Sequence, residues 1–240
     1  MATSTALAED LATALGIPAP TVMHVMRGLR AAGLIASLGR GVSASSMSRD
    51  DAIALLIGLA SGAPAAHLEP DVRMLMGMKL RRADRPPGFS GLRHAVGNRF
   101  FSLRKDHTFL DGLIVLFEKE WGGPVLEEEG YEERRGPLDR LDTLGITIGM
   151  DGGRSGGFAI IRGGSPDGII RNIYSTWKVN QTEGEGLTQL FDTDADAFHM
   201  MYIGGKVLRA ALDSIKRPAN RERVRTRRNL RFSRTPQKSV

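Results

Sequence analysis

Cysteine is absent from all 240 residues, which excludes a disulfide framework and any zinc site built on thiolates, and fits a reducing compartment. Long apolar runs are lacking too. The longest strongly apolar stretch, 52–60, falls far short of the roughly 20 residues that cross a bilayer. The opening MATSTALAED has no basic region ahead of an apolar segment, so no secretory signal is expected. The chain reads as cytoplasmic, without membrane contact.

Signatures of metal binding and catalysis are equally scarce. The five histidines, His24, His67, His94, His107 and His199, show neither HxxxH nor HxxE spacing, so no helix face offers a ligand pair. Asp192, Asp194 and Asp196 imitate the start of a calcium loop. Its sixth position, however, is Ala197 where the turn needs glycine, and its twelfth is Ile203 where a glutamate closes the shell. Gly153, Ser155 and Gly157 match GxSxG, but a nucleophile elbow needs a helix after the serine and 158–161 reads as a strand. The glycines Gly152, Gly153, Gly163 and Gly164 lack the Lys and Ser or Thr of a phosphate loop. No cofactor, metal or enzymatic activity is expected.

What is present begins with charge. The net charge of +6 is unevenly spread: 217–240 holds nine Lys or Arg and one acid, Glu222, so the tail is strongly basic and the rest slightly acidic. The tail has too few apolar residues to bury and repels itself, which predicts a disordered arm. Arg221, Arg223, Arg225, Arg227, Arg228 and Arg231 could then lie along phosphates and release counterions without reading bases. The alternative is a solubilising terminus. A second basic cluster runs through 73–105, and 118–142 is acidic, the composition of a solvated loop or helix face. The first 62 residues carry four Arg and four acids and are formally neutral, so attraction to a polyanion would come from the other basic segments.

Helical periodicity marks the N-terminal region. Leu7, Leu11 and Leu15 repeat at helical spacing before Gly16, and Val22, Val25 or Met26, and Leu29 repeat after it. Ala12 permits a close helix crossing, Gly16 supplies the backbone freedom of a tight turn, and Pro18 and Pro20 stand where a helix tolerates proline. The stretch 5–35, TALAEDLATALGIPAPTVMHVMRGLRAAGLI, resembles the helix-turn-helix and winged-helix DNA-binding family in its LAxxLG and TVxxxxRxLxxxGLI phrasing, over about an eighth of the chain. That resemblance implies a second helix, at about 19–33, lying in the major groove. Thr21, Met23, His24, Arg27 and Arg30 would then face outward. Arg27 and Arg30 would read guanine or phosphate, while Thr21 and His24 would reach base edges or backbone oxygens. An ordinary helical hairpin remains the competing reading. In 36–47, Gly39, Arg40 and Gly41 suit either a wing pressing Arg40 on the duplex or a plain loop.

Further along, Ser48 and Asp51 form a capping box before Ala52, Leu55, Leu56 and Leu59, predicting a third helix that closes a first domain, 1–62. After a short linker, a helix is expected from Pro70 through Leu80, ended by 86–88, and a second capping box at Thr108 and Asp111 predicts another. Beyond 142 the period changes to two. Leu144, Ile146 and Ile148, then Phe158 and Ile160, then Ile170 and Ile173 predict a three-stranded antiparallel meander, followed by a strand at 198–203 and a closing helix through Val207 to Ile215. The expected class is α+β: a helix-turn-helix domain, with 36–47 as a wing or a plain loop, then a mixed domain of helices and antiparallel sheet over 68–216, then the basic tail. The function read from this is sequence-specific binding of double-stranded DNA, most simply by a homodimeric transcription regulator whose second domain pairs or receives a partner. A DNA replication or packaging adaptor, or an enzyme with an unfamiliar second-domain site, stays open as an alternative.

Overall fold

Two helix ends set the geometry of the N-terminal region. In the computed structural model, which describes residues 3–36, 47–84, 103, 105–117, 144–165, 168–179, 191–192 and 198–216, helix α1 (Ser4–Leu15) starts at Thr3, whose hydroxyl accepts from the Ala6 N–H. It ends at Gly16 in the left-handed region, φ 68°, with the Ile17 N–H returning to the Ala12 carbonyl at 3.0 Å. That six-to-one bond turns the chain sharply into α2 (Ala19–Ala31). The same device ends α2: Gly33 has φ 70° and the Leu34 N–H bonds the Leu29 carbonyl at 2.9 Å.

Helix α3 (Arg49–Ser61) starts with the expected capping box, Ser48 with Asp51, and Asp51 also accepts the Ala36 N–H at 2.9 Å. One carboxylate thereby holds the exit from α2 against the start of α3. Almost every side chain from Asp51 to Ser61 is buried, so α3 is apolar on all sides and must sit inside the protein. It packs against α2, against α4 (Leu68–Gly77) and against the sheet.

Among the described residues there are six helices and a five-stranded antiparallel sheet, an α+β architecture as the pattern of periods implied. The meander is β2 (Gly145–Asp151), β3 (Gly157–Ser165) and β4 (Gly168–Ser175), flanked by β1 (Lys79–Asp84) beside β4 and β7 (Phe198–Gly204) beside β2. Helix α5 (Phe109–Leu116) follows the Thr108–Asp111 capping box. A short pair, β5 (Lys178–Val179) with β6 (Phe191–Asp192), forms a ladder of its own, and α6 (Gly205–Lys216) follows β7 directly.

One expectation needs correction. The helix beginning near Pro70 does not run through Leu80: α4 stops at Gly77, Met78 is extended, and 79–84 form an edge strand paired with β4. Leu75, Met76 and Leu80 carry helical spacing, but the Leu80 N–H bonds the His107 carbonyl at 3.0 Å and the Phe109 N–H bonds that of Met78 at 2.8 Å. Long-range pairing overrides local periodicity here.

One continuous apolar core contains Leu7 and Leu11 of α1, Met26 and Leu29 of α2, Leu55 of α3, Ile148 of β2 and Leu208 of α6. Helix α1 packs on α6, so the first and last described helices are neighbours. The inner sheet face joins this core through Ile146, Ile148, Ala159 and Tyr174. A polar clasp reinforces the join. Arg154, in the turn after β2, is ion-paired with the buried Asp71 of α4, and donates to the Gly62 carbonyl at the end of α3 at 3.1 Å.

Asp111 links the caps to pH. The Thr108 backbone N–H, then its hydroxyl, and the nearby His107 and Lys79 hold this carboxyl below its ordinary 3.8, against the opposing effect of burial. A carboxylate with a lowered folded-state value stabilises the fold above the unfolded value near 3.9, and that contribution fades as pH falls through the lowered one. Asp111→Asn is therefore expected to cost about 0.3–1 kcal/mol at neutral pH. Urea unfolding at neutral pH and at the acid end should show the gap from the parent closing as pH drops below the ordinary aspartate range; a gap independent of pH refutes the role.

Candidate nucleic-acid interface

The surface of α2 divides by what each flank meets. Val22, Met26 and Leu29 are fully buried, with Met26 rather than Val25 in the deepest place of the seam. Val25 is half-buried against Gly58, where an added Cβ would come within 3.1 Å of its Cγ1. Gly28 faces Leu68, where an added Cβ would stand 2.6 Å from the Leu68 Cδ2, so the backbone of α2 approaches the start of α4 closely. Helices α1, α3 and α4 grip α2 on three sides.

The remaining flank faces solvent. Thr21, His24 and Arg27 are exposed, and Pro20 and Ala31 extend the strip to either end. Thr21, His24 and Arg27 follow one another at three-residue intervals, which spreads a hydroxyl, an imidazole and a guanidinium over about a third of the helix circumference. Donors and acceptors so arranged on a rigid cylinder match the width of a major groove and the hydrogen-bonding edges within it.

Two of the five outward positions expected from the sequence behave differently. Met23 is half-buried and packs on the core. Arg30 is also half-buried: its Nη2 lies 4.0 Å from the Met47 sulfur, and its buried Nε has no hydrogen-bond partner among the described residues. The guanidinium is turned toward the junction of α2 and α3, away from the strip. Helical spacing could not show this, because Met47 arrives from the next element. Arg40, the segment 37–46 and the tail arginines Arg221, Arg223, Arg225, Arg227, Arg228 and Arg231 lie outside the described residues.

The motifs set aside on sequence grounds take ordinary structural places. Ser155 is followed by β3, and both its N–H and hydroxyl donate to the Asp151 carboxylate. His107 is buried, with Nε2 2.9 Å from the Tyr174 hydroxyl. Among the described residues no three His, Asp or Glu side chains gather as metal ligands would, and no helix is long and apolar enough to cross a membrane. Sequence reasoning missed Asp71, Arg154 and strand β1, whose partners are remote in the chain. Set beside family models, curated proteins and solved structures, this chain matches none.

Proposed function

We propose that the protein binds double-stranded DNA with sequence preference, presenting α2 to the major groove, and acts as a regulator of transcription. One observation carries the reading: α2 is clamped by three helices yet leaves Thr21, His24 and Arg27 exposed on its remaining flank. A helix held that firmly presents its side chains in a fixed geometry, which base recognition requires. Arg27 is the natural reader of guanine O6 and N7, and Thr21 and His24 flank it. Arg30 has a different part, bracing the exit of α2 against Met47.

Selection of bound fragments from random duplex DNA tests the proposal, followed by Arg27→Ala on the selected site. The expected result is enrichment of a short motif and a loss of about 1–3 kcal/mol of preference over random duplex in the variant, measured by competition binding at fixed salt. Unchanged preference in Arg27→Ala, or no enriched motif, refutes the assigned face. A homodimer would place two copies of α2 on half-sites about 34 Å apart, and the enriched motif would then be palindromic.

A further inference from the structure

The sheet has two faces, and among the described residues helices cover only one. On the outer face, Phe158 and Ile173 are buried under Ile160, Trp177, Val179 and Phe198, so one end carries a small second core. The other end, where the register rows of Ile160 and Phe158 reach the edge strand β7, is open among the described residues. Tyr202 and Met200 on β7 are 48% and 50% exposed, the large apolar side chains most accessible among the described residues. Tyr202 opposes Thr147 across β7 and β2, and its ring lies against Gly145, where a Cβ would overlap it. The Arg162 guanidinium sits 5.1 Å from the ring centroid. Arg162 pairs across the ladder with Arg171, which is exposed and shares Asp84 with Arg82. The open end thus joins an aromatic ring, a thioether and the exposed guanidinium groups of Arg162 and Arg171, the latter paired with Asp84.

An accessible ring and thioether beside guanidinium groups complement a polyanion that carries flat apolar groups. We propose that this open end binds single-stranded DNA, with a base stacked on the Tyr202 and Arg162 platform, Met200 beside it, and phosphates directed to Arg162 and Arg171. Gly145 allows the ring to lie flat on the strand, the orientation a stacked base needs. The rigid surface of a duplex does not offer an unpaired base to a sheet, whereas a single strand does. The face holds guanidinium groups for phosphate and a ring for the base, and a DNA strand, which lacks the ribose 2′-hydroxyl, satisfies both. This surface lies on elements other than α2 and does not depend on the duplex-reading proposal.

The test is fluorescence anisotropy of the full chain with a labelled oligothymidylate of about 15 nucleotides, across a salt series. Tyr202→Ala should weaken binding about tenfold, and Tyr202→Phe should keep it, since stacking needs the ring alone. Arg162→Ala should lower the slope of log affinity against log salt by about 0.7. Arg27→Ala should leave single-strand binding as it was, which separates the two surfaces. Near-parent thermal unfolding of Tyr202→Phe and Arg162→Ala guards against a folding defect. Equal binding by Tyr202→Ala and the parent overturns the proposal, as does tighter Tyr202-dependent binding of oligouridylate. A parent that self-associates, and becomes monomeric in Tyr202→Ala on light scattering, also overturns it by making the face a contact between copies.

Discussion

Arg154→Ala is expected to lower the free energy of unfolding by about 3–5 kcal/mol. Asp71, the partner of Arg154, is 4% exposed, so removing the guanidinium leaves a carboxylate buried without its counter-charge. Breaking such a pair from one side costs far more than the pair contributes net, because desolvation of the survivor is no longer offset. The guanidinium also holds the Gly62 carbonyl, so the same substitution loosens the ends of α3 and α4 from the sheet. Arg154 has φ 58°, a region unfavourable to any residue with a Cβ. Arg154→Gly should therefore be milder than Arg154→Ala by about 1 kcal/mol. Urea denaturation of both, with Asp71→Ala and the double variant, closes the cycle. The double variant should be clearly less damaged than the sum of the singles. Additive losses, or a loss under about 1 kcal/mol in Arg154→Ala, would show that the clasp is a surface contact of little consequence.

The distance between that clasp and what the chain discloses locally is instructive. Residue types with short-range signatures were legible: Ser48 with Asp51 and Thr108 with Asp111 begin helices because a capping box needs partners only three residues apart, and Gly16 ends one because it alone enters φ 68° cheaply. Alternation in 145–150 and 158–161 likewise disclosed the meander. Strand β1 was hidden, since its partner β4 lies some ninety residues on and the apolar spacing of Leu75, Met76 and Leu80 mimics a helix. In the candidate site, exposure of Thr21, His24 and Arg27 agrees with their helical phase. The inward turn of Arg30 depends on Met47, which no periodicity within α2 encodes. Period-two spacing places Arg162 after Phe158 and Ile160, and Tyr202 after Phe198 and Met200, so the outer-face set was readable in principle. Which face the helices leave bare is a tertiary fact.

The second large effect concerns the join between the N-terminal helices and the sheet. Leu11 is fully buried in α1, the helix that packs on both α2 and α6, and belongs to the same core as Ile148 and Tyr174. Leu11→Ala should cost about 2–5 kcal/mol through lost transfer energy and the cavity left behind. The continuous core adds a sharper expectation, that the loss is shared by the whole molecule. With Trp121→Phe as background, Trp177 is the remaining tryptophan and reports from the far face of the sheet, beside Phe198. Its fluorescence transition and the far-UV circular dichroism transition, dominated by helix, should coincide in Leu11→Ala and move together to lower urea. A variant in which helix is lost first while the Trp177 signal holds would show that the opening helices melt as a separate unit. In that case α2 would sit on a detachable head, and its exposed strip would no longer be held in fixed register to the rest of the protein. Coincident transitions keep Thr21, His24 and Arg27 on the same rigid body as the sheet, which is the condition under which fixed side chains can discriminate bases.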